Sequence, residues 1–207
     1  MIFVDETKKA IDIILLKDKT PEAMGVAQGL GFYYKASLIP LILAVIVAAL
    51  ISTAFVGTIG ALLTTVASNS HLGSLIGLFG TAVTLVIVVL VVVYFWILMP
   101  LGLLIDALIY HIFGKLLKQF KQGYNATFNA MVYASMVYIL LFFLLGIPIV
   151  GAIVGLIIFI WSLVSIIVWM GRFQKISWVM SLVVLIVTWV VVVIIFLLLA
   201  GIATKLI

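Results

Sequence analysis

An all-α integral membrane fold with five transmembrane helices is what this sequence predicts, on three observations. Apolar residues make up 68% of the 207, and the mean hydropathy is +1.54, whereas soluble domains are roughly half apolar. The apolar residues gather in runs of about 20, the length that crosses a hydrocarbon core at about 1.5 Å rise per residue. The charged residues, only 8% of the chain, fall in short segments between those runs, the pattern that orients membrane proteins. A soluble fold would have to expose an apolar patch far too large for water. The net charge of +5 is scattered over these short segments. It therefore points to the bilayer and its anionic lipid headgroups as partners, not to nucleic acid. The chain has no cysteine, which excludes disulfides, thiolate-bound zinc, iron–sulfur clusters and thiol catalysis.

Residues 1–35 read as a cytoplasmic, interfacial segment and 36–207 as the transmembrane domain. The start carries five acidic residues and four lysines before any long apolar run, unlike a cleaved leader. Asp5 is expected to cap a short amphipathic helix reaching about Leu16, with Ala10, Ile11, Ile14 and Leu15 on one face. Thr20, Pro21 and Glu22 follow the order of an N-cap, a first helical position and an acidic first turn, so a second short helix is expected there. Both helices suit the bilayer surface or the end of the bundle; docking of a soluble partner is the alternative. The spans are expected over 36–56, 75–95, 126–145, 149–170 and 178–200. A small-residue stretch continues the first span and becomes a loop near 68–73. Gly146, Pro148 and Gly151 in "GIPIVG" turn the third span into the fourth.

The stretch 75–113 needs separate treatment, because its roughly 39 residues without a basic side chain would be about 58 Å of straight helix. Pro100 lies in its middle, where it removes a backbone donor and crowds the preceding turn. Either one bent helix runs on into the interface, or Pro100 marks a turn and the chain has six spans. The basic residues decide between these. With five spans, the N-terminal lysines, the loop carrying Lys115, Lys118 and Lys121, and the loop carrying Arg172 and Lys175 share one side, and of the 11 basic residues only Lys205 lies opposite. Basic short loops stay in the cytoplasm, so the N-terminus is expected there and the C-terminus outside. The localisation implied is an integral, multi-pass protein, of the cell membrane if the chain is prokaryotic.

Few side chains in the spans offer chemistry. Asp106 is the one acid after Glu22, and an ionisable group at membrane depth is a candidate site. It is expected to pair with Lys115, Lys35 or Arg172; a proton-relay or transport role, in a small channel or secondary transporter, is the alternative. His111 reads as an interfacial histidine or a proton carrier. His71 falls on the opposite side, so the two histidines are not expected to share a metal. Asn125 matches a glycosylation sequon on the cytoplasmic side and reads as chance or a helix cap. Gly73 with Gly77, and Gly151 with Gly155, are small-xxx-small pairs for close helix packing or a homo-oligomer face. Trp161, Trp169, Trp178, Trp189, Tyr94 and Trp96 read as interface anchors or lipid-facing bulk. No catalytic set appears among the motifs: no serine elbow, HExxH, phosphate-binding glycine loop or carboxylate pair. No enzymatic activity, cofactor or metal is expected.

The segment "IYHIFGKLLKQFKQGYNATFNAMVYASMVYIL", the "GIPIVG" turn, Trp161 and "MGRFQKIS" together resemble the Yip family, membrane proteins named for interacting with Ypt/Rab GTPases. The resemblance covers about 104–184. It implies five spans, a cytoplasmic N-terminus, a C-terminus across the membrane, and a scaffold or adaptor role in membrane trafficking with a small GTPase as protein partner. The tail of about 35 residues lacks the acidic-Leu-Tyr-Gly-Pro stretch of eukaryotic members, so the likeness is to short prokaryotic or archaeal ones. A membrane-shaping homo-oligomer is a further reading of the same topology.

Overall fold

Backbone amides in a bilayer have no water to bond, so each apolar run must satisfy its own hydrogen bonds as helix. The computed structural model describes residues 2–17, 24–67 and 70–206, with side chains over 8–17, 24–62 and 78–202. All of its regular elements are helical: α1 Ile2–Ile14, α2 Val26–Ala67, α3 Ser70–Val93, a π-helical turn Tyr94–Leu98, α4 Met99–Leu116, α5 Tyr124–Leu145, α6 Val150–Gln174 and α7 Trp178–Leu206. Five helical stretches are long and apolar enough to cross a membrane, the α3–α4 continuation counting as one.

Successive spans run antiparallel. Gly80 of α3 meets Val56 of α2, and Tyr33 near the start of α2 reaches Phe95. Tyr94 bonds Tyr138 across α5, Tyr133 of α5 packs on Trp169 and Phe173 of α6, and Gly171 of α6 touches Ser181 of α7. One end of the bundle therefore holds the start of α2, the end of α4, the start of α5, the end of α6 and the start of α7. This is the basic end. The C-terminus of α7 lies at the other.

Several expected boundaries move. α1 starts at Ile2, so Asp5 lies inside it, not at its cap. The expected cap at Thr20 lies outside the described residues. The first spanning helix starts at Val26 and continues through Pro40 to Ala67, about 63 Å of helix against a hydrocarbon core of about 30 Å. Of the loop expected near 68–73, residues 70–73 are helical, since α3 begins at Ser70, and 68–69 lie outside the described residues. Gly146 at the α5–α6 turn faces Val47 and Ile51 of α2, so the α2–α3 hairpin projects past that turn by about 24 Å. The loops at the basic end shrink as well: Lys115 sits in the last turn of α4, and Arg172 in the last turn of α6.

Pro100 neither breaks the helix nor ends the span. A proline withholds the amide hydrogen that the carbonyl four residues earlier would accept. Here the chain slips into a π turn, in which the Met99 amide donates to the Tyr94 carbonyl. The Phe95 and Trp96 carbonyls then lack a donor from Pro100. Two neighbouring tyrosines of α2 supply it: Tyr33 Oη donates to Phe95 O at 2.6 Å and Tyr34 Oη to Trp96 O at 3.1 Å. The bent continuous helix of the five-span reading is the one formed.

The turn "GIPIVG" behaves as its residues suggest. Pro148 and Ile149 are exposed at its tip, and Ile149 takes a positive φ of 69°. A Cβ on Gly151 would run into the Leu145 carbonyl, so this glycine lets α6 start directly against the end of α5. Gly155 only brushes Leu145 at 3.5 Å. The small pair therefore serves packing within the chain, at Gly151 above all. Gly73 and Gly77 lie in α3, where side-chain surroundings are outside the described residues.

Candidate functional site

The basic end is built around the first half of α5, whose residues 126–134 are buried without a break. Three polar side chains hold it. Gln174, from the last turn of α6, donates Nε2 to Thr127 Oγ1 at 2.8 Å and accepts the Gln122 amide at 3.0 Å. Thr127 Oγ1 also shares a hydrogen with His111 Nδ1 at 2.8 Å. One hydroxyl thus joins α4, α5 and α6, and Gln174 fixes the loop 117–123 above them. His111 is tied into this junction and rests against Phe120 and Tyr124. Asn129 Nδ2 donates to the Met24 carbonyl at 2.6 Å and to Asn125 O at 2.7 Å, so α5 holds the lead-in to α2. Asn125 caps nothing: the N-cap of α5 is Gly123.

α1 lies along α2, α5 and α6. It buries Ala10 and Ile13 and exposes Lys8, Lys9 and Ile11, with Lys9 over the Phe32 ring. Its C-terminal carbonyls find donors on α6: Trp161 Nε1 reaches Ile14 O at 3.0 Å, and both Arg172 Nη atoms reach Leu16 O at 3.1 Å. Arg172 is stacked on Trp169, 4.7 Å from the ring centre. Arg172 is therefore a fastener for α1, not a loop charge. Trp169, expected as an interface anchor, is fully buried, while Trp178 and Trp189 are exposed.

The lysines of this end behave differently. Lys115, Lys118, Lys121 and Lys175 are exposed, and the ion pair that forms among the described residues is Lys17 with Asp12 at 3.5 Å. Lys118 and Lys175 both take a left-handed backbone, φ 56°, at the C-terminal ends of α4 and α6. Glycine is the usual residue there. Gly114 lies beneath the first of these ends, bare so that the Phe120 ring can fold back onto it.

Asp106 stands apart from this end. It lies ten residues before the end of α4, about 15 Å along the axis, and its carboxylate forms no ion pair among the described residues. The pairing expected with Lys115, Lys35 or Arg172 is absent, since Lys115 is more than two turns away along α4 and Arg172 is committed to Leu16. Asp106 instead lines a groove between α4, α5 and α6, with Ser135, Tyr138 and Ser162 in the same wall. Among the described residues no three His, Asp or Glu side chains gather as a metal site.

Thr127, Gln174, Asn129, Tyr33 and Tyr34 carry the polar work of the bundle and were not expected from the sequence. Their one signal is an amide, phenol or hydroxyl inside an otherwise apolar span. Compared with protein families, curated proteins and solved structures, the chain matches none.

Proposed function

We propose that this multi-pass membrane protein is a non-enzymatic, Yip-type scaffold whose working surface is its basic end, facing the cytoplasm. One observation carries the reading. The polar side chains of that end are spent on internal bonds, while Lys115, Lys118, Lys121 and Lys175 stand outward without an acidic neighbour among the described residues. Such a rim gathers anionic headgroups, by up to about 1 kcal/mol per lysine, and offers the same charge to an acidic protein partner. The Yip resemblance supports a partner of the small-GTPase kind.

Reconstitution into phosphatidylcholine with a minority of phosphatidylglycerol tests this. Gentle extraction should leave phosphatidylglycerol enriched on the wild type. The triple variant Lys115→Glu, Lys118→Glu, Lys121→Glu should lose that enrichment. Unchanged enrichment, with orientation preserved, would leave the lysines as topology signals only. Orientation is read on the cysteine-free background: a cysteine at Ser70 should react with an impermeant reagent outside intact cells, and one at Lys118 should not.

A further inference from the structure

Between α4, α5, α6 and α7 lie two adjoining hollows of about 470 Å³ and 330 Å³, whose walls share Asp106, Met131 and Ile166. Small-ligand sites occupy roughly 300–1,000 Å³. The exposed Asp106 carboxylate forms no ion pair among the described residues. Thr188, 2% exposed, lines the same wall with its Oγ1 covered and, among the described residues, without a hydrogen bond. In the same wall, Trp189 Nε1 donates to Tyr110 Oη at 2.6 Å, which holds two aromatic rings in place. The remaining wall is aliphatic, Ile109, Val192 and Val193.

We propose that this hollow binds the ammonium group of a cationic amphiphile drawn from the lipid phase. A carboxylate only accepts hydrogen bonds and an ammonium only donates them, so Asp106 is its counter-ion. The rings of Tyr110 and Trp189 add their attraction for a cation. The aliphatic wall takes the hydrocarbon body. A divalent cation stripped of its water fits poorly, because it needs about six oxygen ligands and this wall supplies few. An anion would meet the Asp106 charge. The source is the bilayer because the flanks are lipid-facing: Ile105 and Leu108 on α4 and Val192 and Val193 on α7 are exposed. The site is separate from the basic rim.

The test uses full-length protein in a neutral detergent, with dodecylamine and dodecanol as probes and native mass spectrometry as the readout. The wild type should prefer the amine by about tenfold or more. Asp106→Asn should bring the amine down to the affinity of the alcohol, and Trp189→Leu, which removes a ring from the wall, should weaken the amine several-fold. Asp12→Asn should keep the preference, since that acid lies on α1. Equal binding of amine and alcohol by the wild type overturns the proposal, as does a preference that persists in Asp106→Asn. If Asp106→Asn fails to fold, Trp189→Leu decides: undiminished amine binding overturns the proposal.

Discussion

Helices α5 and α7 cross the same bundle and could hardly be more different. α5 is the least apolar of the five spans, mean hydropathy 2.1 over its most apolar stretch, yet 56% of that stretch is buried. α7 is the most apolar, at 3.5, and only 17% of the corresponding stretch is buried. In water the order would be reversed. In lipid, an apolar side chain gains little by leaving the acyl chains, so helices associate through close packing of small residues and through hydrogen bonds. α5 has both: Ala126, Ala130 and Ala134 admit its neighbours, and Thr127 and Asn129 bond them. α7 has few of either, and from 192 to 202 it is exposed. Apolarity in this chain reports contact with lipid. Polarity inside a span reports the interior.

The sharpest way to break that comparison is at the junction of α4, α5 and α6. Gln174→Leu raises apolarity, fits the volume roughly, leaves the part-buried Gln122 amide without its partner and leaves the Thr127 hydroxyl with His111 alone. An orphaned group costs about 1–3 kcal/mol and a lost hydrogen bond about 1 kcal/mol, so we expect a loss of about 3 kcal/mol, read as thermal unfolding in detergent. Ile194→Val, on the exposed face of α7, should change stability by less than about 0.5 kcal/mol. Equal effects from the two would mean that the polar junction is not what holds the basic end together.

This also explains what could be read from the sequence. The span count, the bent passage through Pro100, the "GIPIVG" turn and the placing of the lysine-rich loops follow from run length, proline chemistry and charge, which are local properties. Which face of a span is inward does not. In α5 the apolar residues run nearly all round, so no 3.6-residue stripe marks a core. The inward face is marked instead by Thr127 and Asn129, whose partners lie on other helices. The bonding of Tyr33 and Tyr34 to the carbonyls of Phe95 and Trp96, across 62 residues, is equally invisible along the chain. So is the isolation of Asp106, because spacing alone put three basic residues within plausible reach of it.

The π turn offers a second, smaller break. Tyr33 is buried and its bond to Phe95 O is 2.6 Å long; Tyr34 is 36% exposed and its bond to Trp96 O is 3.1 Å. Tyr33→Phe leaves a buried carbonyl without a donor and should cost about 1–2 kcal/mol. Tyr34→Phe exposes its carbonyl to a less dry surrounding and should cost about 0.5 kcal/mol. The ratio is the informative quantity. If both variants cost the same, burial does not set the value of a carbonyl freed by Pro100.

The smallest effect is expected at Lys118, and it has the opposite sign. Its φ of 56° places a side chain where L-residues are strained by about 1–2 kcal/mol. Glycine removes that strain but gives the unfolded chain more freedom, at a cost of about 0.5–1 kcal/mol. It also removes a positive charge that favours the C-terminal end of α4 by about 0.3 kcal/mol or more. These terms nearly cancel, and Lys118→Gly should leave the protein unchanged or more stable by about 0.5 kcal/mol. Its stability by thermal unfolding should therefore stay at or above that of the wild type while its retention of phosphatidylglycerol falls. This separates the charge from the fold, which the glutamate variants cannot do because they add repulsion as well. A stability loss above about 1 kcal/mol would make Lys118 part of the architecture that Gln174 and Thr127 form. The exposed rim and the buried junction would then be one structure instead of two regions with different duties.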